Sequence, residues 1–267
     1  MKLILYSFIG CDPYIQNENL FRHFLLYYKS MGIDKFNLIL HSNEPTEENV
    51  NIFKSILDEF EIPTFKTIYG KRYYDVKRSM YKNTIISEFE THKEGDWFVY
   101  ADGDEFINTC GIPFKEYLQY ICSDYSCVLG RLRERISLDH KLKPVSFDSD
   151  LSEQFPLKLD LRSSMKLGFG TSRKVCFTRY PHYLSSQGHH RPSVRTSEGK
   201  TLIPDIKNGF LYVDHYRWTS QLITNYQNRL AHERNKLIGK SKVDKLVKDC
   251  IENEGVLPQY VVDRLEK

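Results

Sequence analysis

The segment Trp97-Phe98-Val99-Tyr100-Ala101-Asp102-Gly103-Asp104-Glu105-Phe106 narrows the folds open to this chain more than any other. Its apolar run reads as a strand buried in a sheet, and it ends abruptly in three carboxylates spaced around one glycine. The charges must therefore emerge where the strand leaves the sheet. In open α/β sheets that C-terminal edge is where ligands bind. Carboxylates gathered within a few ångströms resist joint ionisation and need a cation. A hard divalent ion such as Mg²⁺ or Mn²⁺ meets that need and binds substrate phosphates in turn. The plain alternative is a solvated turn capped by acids, but three acids at a strand end favour the functional reading. An EF-hand loop is excluded by Phe106, which stands where the next oxygen ligand is required.

The surrounding pattern alternates strand and helix. Leu3–Phe8 reads as the first strand, and Leu20, Phe24, Tyr27, Tyr28 and Met31 recur at helical spacing before Gly32 stops the helix. Phe36–His41 is a second strand. A helix opening at Pro45 follows, with acids at its positive end, then a strand over Thr64–Tyr69. A helix over Asp75–Phe89 leads into the acid-tipped strand. Repeated βαβ units of this length predict a parallel sheet with helices on both faces. Beyond residue 110 the pattern loosens. A short helix over Pro113–Ile121, strands over Cys127–Leu132, Lys174–Thr178 and Phe210–His215, and helices after Thr219 are expected.

Composition limits the function classes. The 267 residues suffice for a large core, and 40% hydrophobic with 27% charged residues is ordinary for a globular chain. A formal net charge of +3, with basic and acidic residues interleaved, gives no nucleic-acid footprint. The 13% aromatic content allows either ring-stacking in a site or ordinary packing. Cys11, Cys110, Cys122, Cys127, Cys176 and Cys250 are scattered without metal-binding spacing, which predicts free thiols and a reducing, cytoplasmic setting. No run approaches the roughly 18 apolar residues needed to cross a bilayer.

Asn17-Glu18 at a helix start, the Tyr28–Phe36 stretch, the Asp102–Phe106 cluster and the late Asp214-His215-Tyr216-Arg217-Trp218 together resemble family-2-like and family-92-like glycosyltransferases. The resemblance implies a GT-A fold, a Rossmann-like α/β domain with a mostly parallel sheet, flanking helices and a more irregular acceptor side. It implies one domain over 1–267, with 1–110 as the nucleotide-sugar-binding half and 111–267 as the acceptor half with C-terminal helices. The implied activity is metal-dependent transfer of a sugar from a nucleotide diphosphate sugar, by default a UDP-sugar, with inversion. The acceptor would be a hydroxyl of a glycan or of a lipid- or protein-linked acceptor, which would allow peripheral membrane contact.

On that resemblance Asp104 is a direct ligand of Mn²⁺ or Mg²⁺, and Asp102 contacts the donor ribose or a metal-bound water. Glu105 orients either group from behind. His215, at the end of another apolar strand, would complete the metal shell, and an imidazole suits Mn²⁺ better than Mg²⁺. Its plain alternative is a packed strand-end histidine. Ser7, Phe8 and Ile9, taken to follow the first strand, would surround the nucleobase. Arg78 and Arg217 would reach the diphosphate, or serve as solvated or ion-paired surface groups. Glu134 is the nominal general base, with Asp139 and Glu153 as other candidates, unless a flanking Arg133 or Arg135 pairs with it. His182, His189 and His190 read as an acceptor-side loop, since their spacing does not suit a metal. The lysines from Lys236 to Lys248 read as the solvated face of an amphipathic helix. Two rivals remain: a non-catalytic sugar- or nucleotide-binding module, and a phosphoryl or nucleotidyl transferase. Against the latter, Phe8–Asp12 holds one glycine and no phosphate loop.

Overall fold

Strand β1 (Leu3–Gly10) is buried at every position, so both of its faces must be covered, as the apolar run of the sequence demands. The computed structural model describes residues 1–13, 15–44, 47–70, 91–120, 122–159, 173–181, 201–202, 211–232 and 242–263. Parallel neighbours flank β1: β2 (Lys35–Ser42) on one side and β4 (Trp97–Tyr100) on the other, with β3 (Lys66–Tyr69) continuing beyond β2. The connection to β2 runs through α1 (Glu18–Ser30), which Asn17 caps by accepting a hydrogen bond from the Leu20 N–H at 3.0 Å. Gly32 then adopts φ +83°, the left-handed conformation that ends helices. Helix α2 (Glu48–Glu59) leads to β3. This half has the Rossmann-like α/β arrangement expected from the sequence. The helix expected over Asp75–Phe89 lies outside the described residues.

β1 runs two residues further than the expected strand. Ile9 thus joins Ser7 and Phe8 within it, each about 1% exposed, and none of the three follows the strand. Past β4 the sheet departs from a purely parallel pattern. Its order is β3-β2-β1-β4-β8-β6-β10-β5, where β5 is Glu105–Asn108, β6 Cys127–Ile136, β8 Arg173–Arg179 and β10 Tyr212–His215. β8 is antiparallel to both β4 and β6, whereas β10 runs parallel to β6 and antiparallel to β5. Short strands β7 (Leu157–Leu159) and β9 (Thr201–Leu202) also pair with β6. A sequence pattern shows which face of a strand is apolar but not its partner's direction, and antiparallel neighbours need no crossover helix. No sequence pattern marks β5: it is four residues long, begins on a glutamate, and exists through pairing with a strand about a hundred residues away.

The main core lies against the sheet under α1 and α2 and under α3 (Phe114–Tyr120), and holds Phe21, Phe24, Tyr28, Phe53, Val99, Phe106 and Phe177. Rings meet edge-on, tilted or stacked here, as in Phe106–Tyr216 at 5.1 Å, Phe24–Tyr28 at 4.7 Å and Phe21–Phe24 at 6.3 Å between centroids. Much of the aromatic content is thus packing, at about 1.5–3 kcal/mol for each fully buried ring. A second cluster joins the end of β6 to the C-terminal helices α5 (Gln221–His232), α6 (Lys242–Glu252) and α7 (Gln259–Val262), after the short α4 (Leu151–Gln154). It contains Ile136, Leu142, Trp218, Leu222, Leu246, Val247 and Cys250. All six cysteines are free thiols. Among the described residues no helix is long and apolar enough to cross a membrane.

Candidate functional site

Register across three strands builds the site. β10 lies between β5 and β6, and its last residue, His215, stands opposite Glu105 on one side and Glu134 on the other. Side chains in register project to the same face of a sheet, so the two carboxylates flank one imidazole. The acid turn after β4 completes the group. The Tyr216 N–H donates to the Asp104 carbonyl oxygen at 2.8 Å, which ties the end of β10 to that turn.

His215 Nε2 lies 3.1 Å from Asp104 Oδ2, and Nδ1 lies 2.8 Å from Glu134 Oε2. The Nδ1 contact is off-line, a charge contact more than an aligned hydrogen bond. Trp218 Nε1 donates to the same Glu134 oxygen at 3.0 Å. Burial works against the charged imidazole, but Glu134 and then Asp104 outweigh it, pushing the His215 pKa up to about 10. Burial likewise opposes ionisation of Asp104, yet the charge of His215 and its hydrogen bond hold that carboxyl below its ordinary range. His215 is 7% exposed while the Asp104 side chain keeps 30%, so the group opens to solvent on the aspartate side.

Asp104, Glu105 and His215 each offer a ligand atom, all within 4.8 Å of one another. Two carboxylates and an imidazole suit Mn²⁺, with Zn²⁺ and Fe²⁺ also compatible by ligand type. The donor set therefore fits a divalent ion, with Glu105 among the groups that could hold it. Asp102 stands apart from this set. Its Oδ2 accepts from Lys174 Nζ at 3.1 Å, its backbone N–H donates to Glu105 Oε2 at 3.0 Å, and its side chain is 21% exposed. Lys174 also donates to Glu105 Oε1.

Lys174 is a member of the site that the sequence motifs do not single out. A signal was available: a lysine opening the apolar strand Val175-Cys176-Phe177 must find carboxylates if it is buried. Arg133 and Arg135, considered as partners of Glu134, turn to Asp214 instead, at 2.7 and 3.9 Å. Asp214 also accepts from Asn108 Nδ2 at 2.8 Å.

The nucleobase candidates are committed elsewhere. Ser7 Oγ donates to the Ala101 carbonyl at 2.7 Å, which fastens β1 to the acid-tipped strand, while Phe8 packs on Ile39, Phe65 and Ile68. Ile9 belongs to the main core. The loop leaving β1 does reach the acid turn: Gln16 Nε2 donates to the Gly103 carbonyl at 3.3 Å. Asp12, fully buried, anchors this loop by accepting from Ser42 Oγ at 2.6 Å and from the Asn43 N–H at 2.9 Å. Arg217 is half-buried, two residues past His215. Asp139 and Glu153 are exposed, with Asp139 paired to Lys143 at 2.8 Å. Arg78, His182, His189 and His190 lie outside the described residues.

No family model and no curated protein matches this chain. Among solved structures it is similar to S. aureus TarS, with 13% identity over 67% of this chain and 28% of that one, at a TM-score of 0.34. It is also similar to a 4-diphosphocytidyl-2C-methyl-D-erythritol synthase, with 12% identity over 96% of this chain and 86% of that one, at a TM-score of 0.29.

Proposed function

We propose that this chain is a metal-dependent glycosyltransferase that moves a sugar from a nucleotide diphosphate sugar, a uridine donor being the first choice, to a hydroxyl acceptor. One observation carries the reading: Asp104 of the acid turn, Glu105 at the start of β5 and His215 at the end of β10, more than a hundred residues later, converge at an edge open to solvent on the Asp104 side, where a single divalent ion can bridge them. Behind them Glu134 lies 2.8 Å from His215 Nδ1, a charge contact on the side from which carboxylates orient metal-binding imidazoles.

In this reading Asp104, Glu105 and His215 hold the ion, which when bound neutralises charge on the departing nucleoside diphosphate. Binding at Nε2 requires His215 to give up a proton there, while the proton on Nδ1 stays with Glu134. Asp102, paired with Lys174 through Oδ2, is proposed for the donor ribose. Arg217 and Arg78 are proposed for the diphosphate. Pro13, Ile15 and Gln16, in the loop after β1, are proposed for the nucleobase side in place of the buried Ser7, Phe8 and Ile9. Glu134 is assigned to positioning instead of base catalysis. A carboxylate 4% exposed, shared by an indole N–H and an imidazole, is poorly placed to accept an acceptor's proton.

The test is a panel of nucleotide sugars incubated with and without Mn²⁺, read by release of nucleoside diphosphate. One donor should be hydrolysed in a metal-dependent manner. Asp104→Asn should abolish that release, and Glu134→Gln should reduce it by about 10- to 100-fold. Donor binding without turnover would identify a binding module. Release of pyrophosphate from a nucleoside triphosphate would identify a nucleotidyl transferase. Either result would overturn the glycosyltransferase reading.

A further inference from the structure

Lys174 enters the acid cluster from β8, opposite Gly130 of β6. Its side chain is 5% exposed, lies 3.1 Å from Asp102 Oδ2 and closes on Glu105 Oε1. Glu105, 4% exposed, is also one of the three groups that a single ion can bridge. One buried carboxylate is therefore claimed by two cations: a lysine fixed by its strand, and any ion entering between Asp104 and His215. With little water to screen them, these two positive charges repel each other strongly.

We infer that Lys174 is the resident counter-ion of the acid cluster, competing with a divalent cation for Glu105 and so weakening the binding of the free ion. The inference rests on the proposed metal dependence. Without the ion, Lys174 offsets the repulsion between the buried Glu105 and the half-buried Asp102. When an ion arrives, Glu105 is shared or surrendered, and that cost is offset only by further anionic ligands. A diphosphate supplies such ligands, so ion and donor bind as a unit. Lys174 acts on the ion through Glu105 and is a positioning residue.

The experiment is titration of Mn²⁺ alone into the intact protein, following the free aquo-ion by electron paramagnetic resonance. Lys174→Met keeps the length of the side chain and removes its charge. It should bind Mn²⁺ at least about tenfold more tightly than the native protein. Lys174→Arg should stay near the native affinity, and adding His215→Gln to Lys174→Met should abolish the gain. A lysine that merely supported the fold would produce the opposite change, weaker binding on removal. If Lys174→Met does not fold, Lys174→Gln, whose amide still donates to Glu105, replaces it with the same expected direction. Unchanged or weaker binding in a folded neutral variant, beside His215-dependent binding by the native protein, overturns the role of Lys174 and leaves the site standing. No Mn²⁺ binding by either protein, or a gain that survives His215→Gln, overturns both.

Discussion

Asp104 and Asp139 both carry depressed carboxyl pKa values, for different reasons. For Asp104, burial pushes upward and the neighbouring imidazolium pulls further down. Asp139 is exposed, and its hydrogen bond from Lys143 lowers it to about 2, with smaller help from Ser137 and the Lys141 N–H. A carboxyl whose folded pKa lies below its unfolded value favours folding above the unfolded value, and that contribution is lost as pH falls through about 2. Carboxyl NMR should show Asp139 titrating well below an ordinary aspartate, and Lys143→Met should return it toward the ordinary range. Because the pair is solvent-screened, the thermal midpoint near neutral pH should barely change. The same depressed value makes Asp139 a weak base, which argues against it as the acceptor-side catalyst.

At the scale of elements, β6 organises the site, since it pairs with β8, β10, β7 and β9 along its length. Its Gly130 is required by close approach: an added Cβ would stand 2.6 Å from Cys176 Sγ and 2.9 Å from Val213 Cγ2. Gly130→Ala should cost about 1–3 kcal/mol through overpacking, seen as a lower denaturant midpoint with an unchanged m-value. Trp218, just past β10, links the second core to Glu134. Trp218→Phe keeps most of the packing but removes the indole donor, leaving Glu134 short of a partner. It should cost about 1–3 kcal/mol in stability and weaken Mn²⁺ binding, measured by melting and by metal titration. The early elements were legible because each is decided locally: an apolar run, an Asn17 cap, a glycine stop. β5 and β7 were not, because strands of three or four residues exist only through partners distant in the chain.

Across the whole molecule, the cysteines report how completely the sheet and helices bury their interior. Five of the six are buried, and burial pushes Cys11, Cys127 and Cys250 up to about 12 and Cys122 up to about 11. Cys110 is exposed. A disulfide reagent at pH 8 should therefore modify one thiol rapidly in the native protein and all six in denaturant, with Cys110→Ser removing the fast phase. The sequence by itself determined the α/β alternation, the buried strand over Trp97–Tyr100, the emergence of Asp102, Asp104 and Glu105 at its edge, and a second strand ending at His215. Each arises from patterns a few residues long, where hydrophobic burial and charge solvation act on near neighbours. Only the tertiary structure decided that His215 stands between Glu105 and Glu134, that Lys174 occupies the acid cluster, and that Ser7, Phe8 and Ile9 are interior. Those outcomes depend on strand order and register, which come from pairing between segments separated by tens to more than a hundred residues and leave no local trace in the chain.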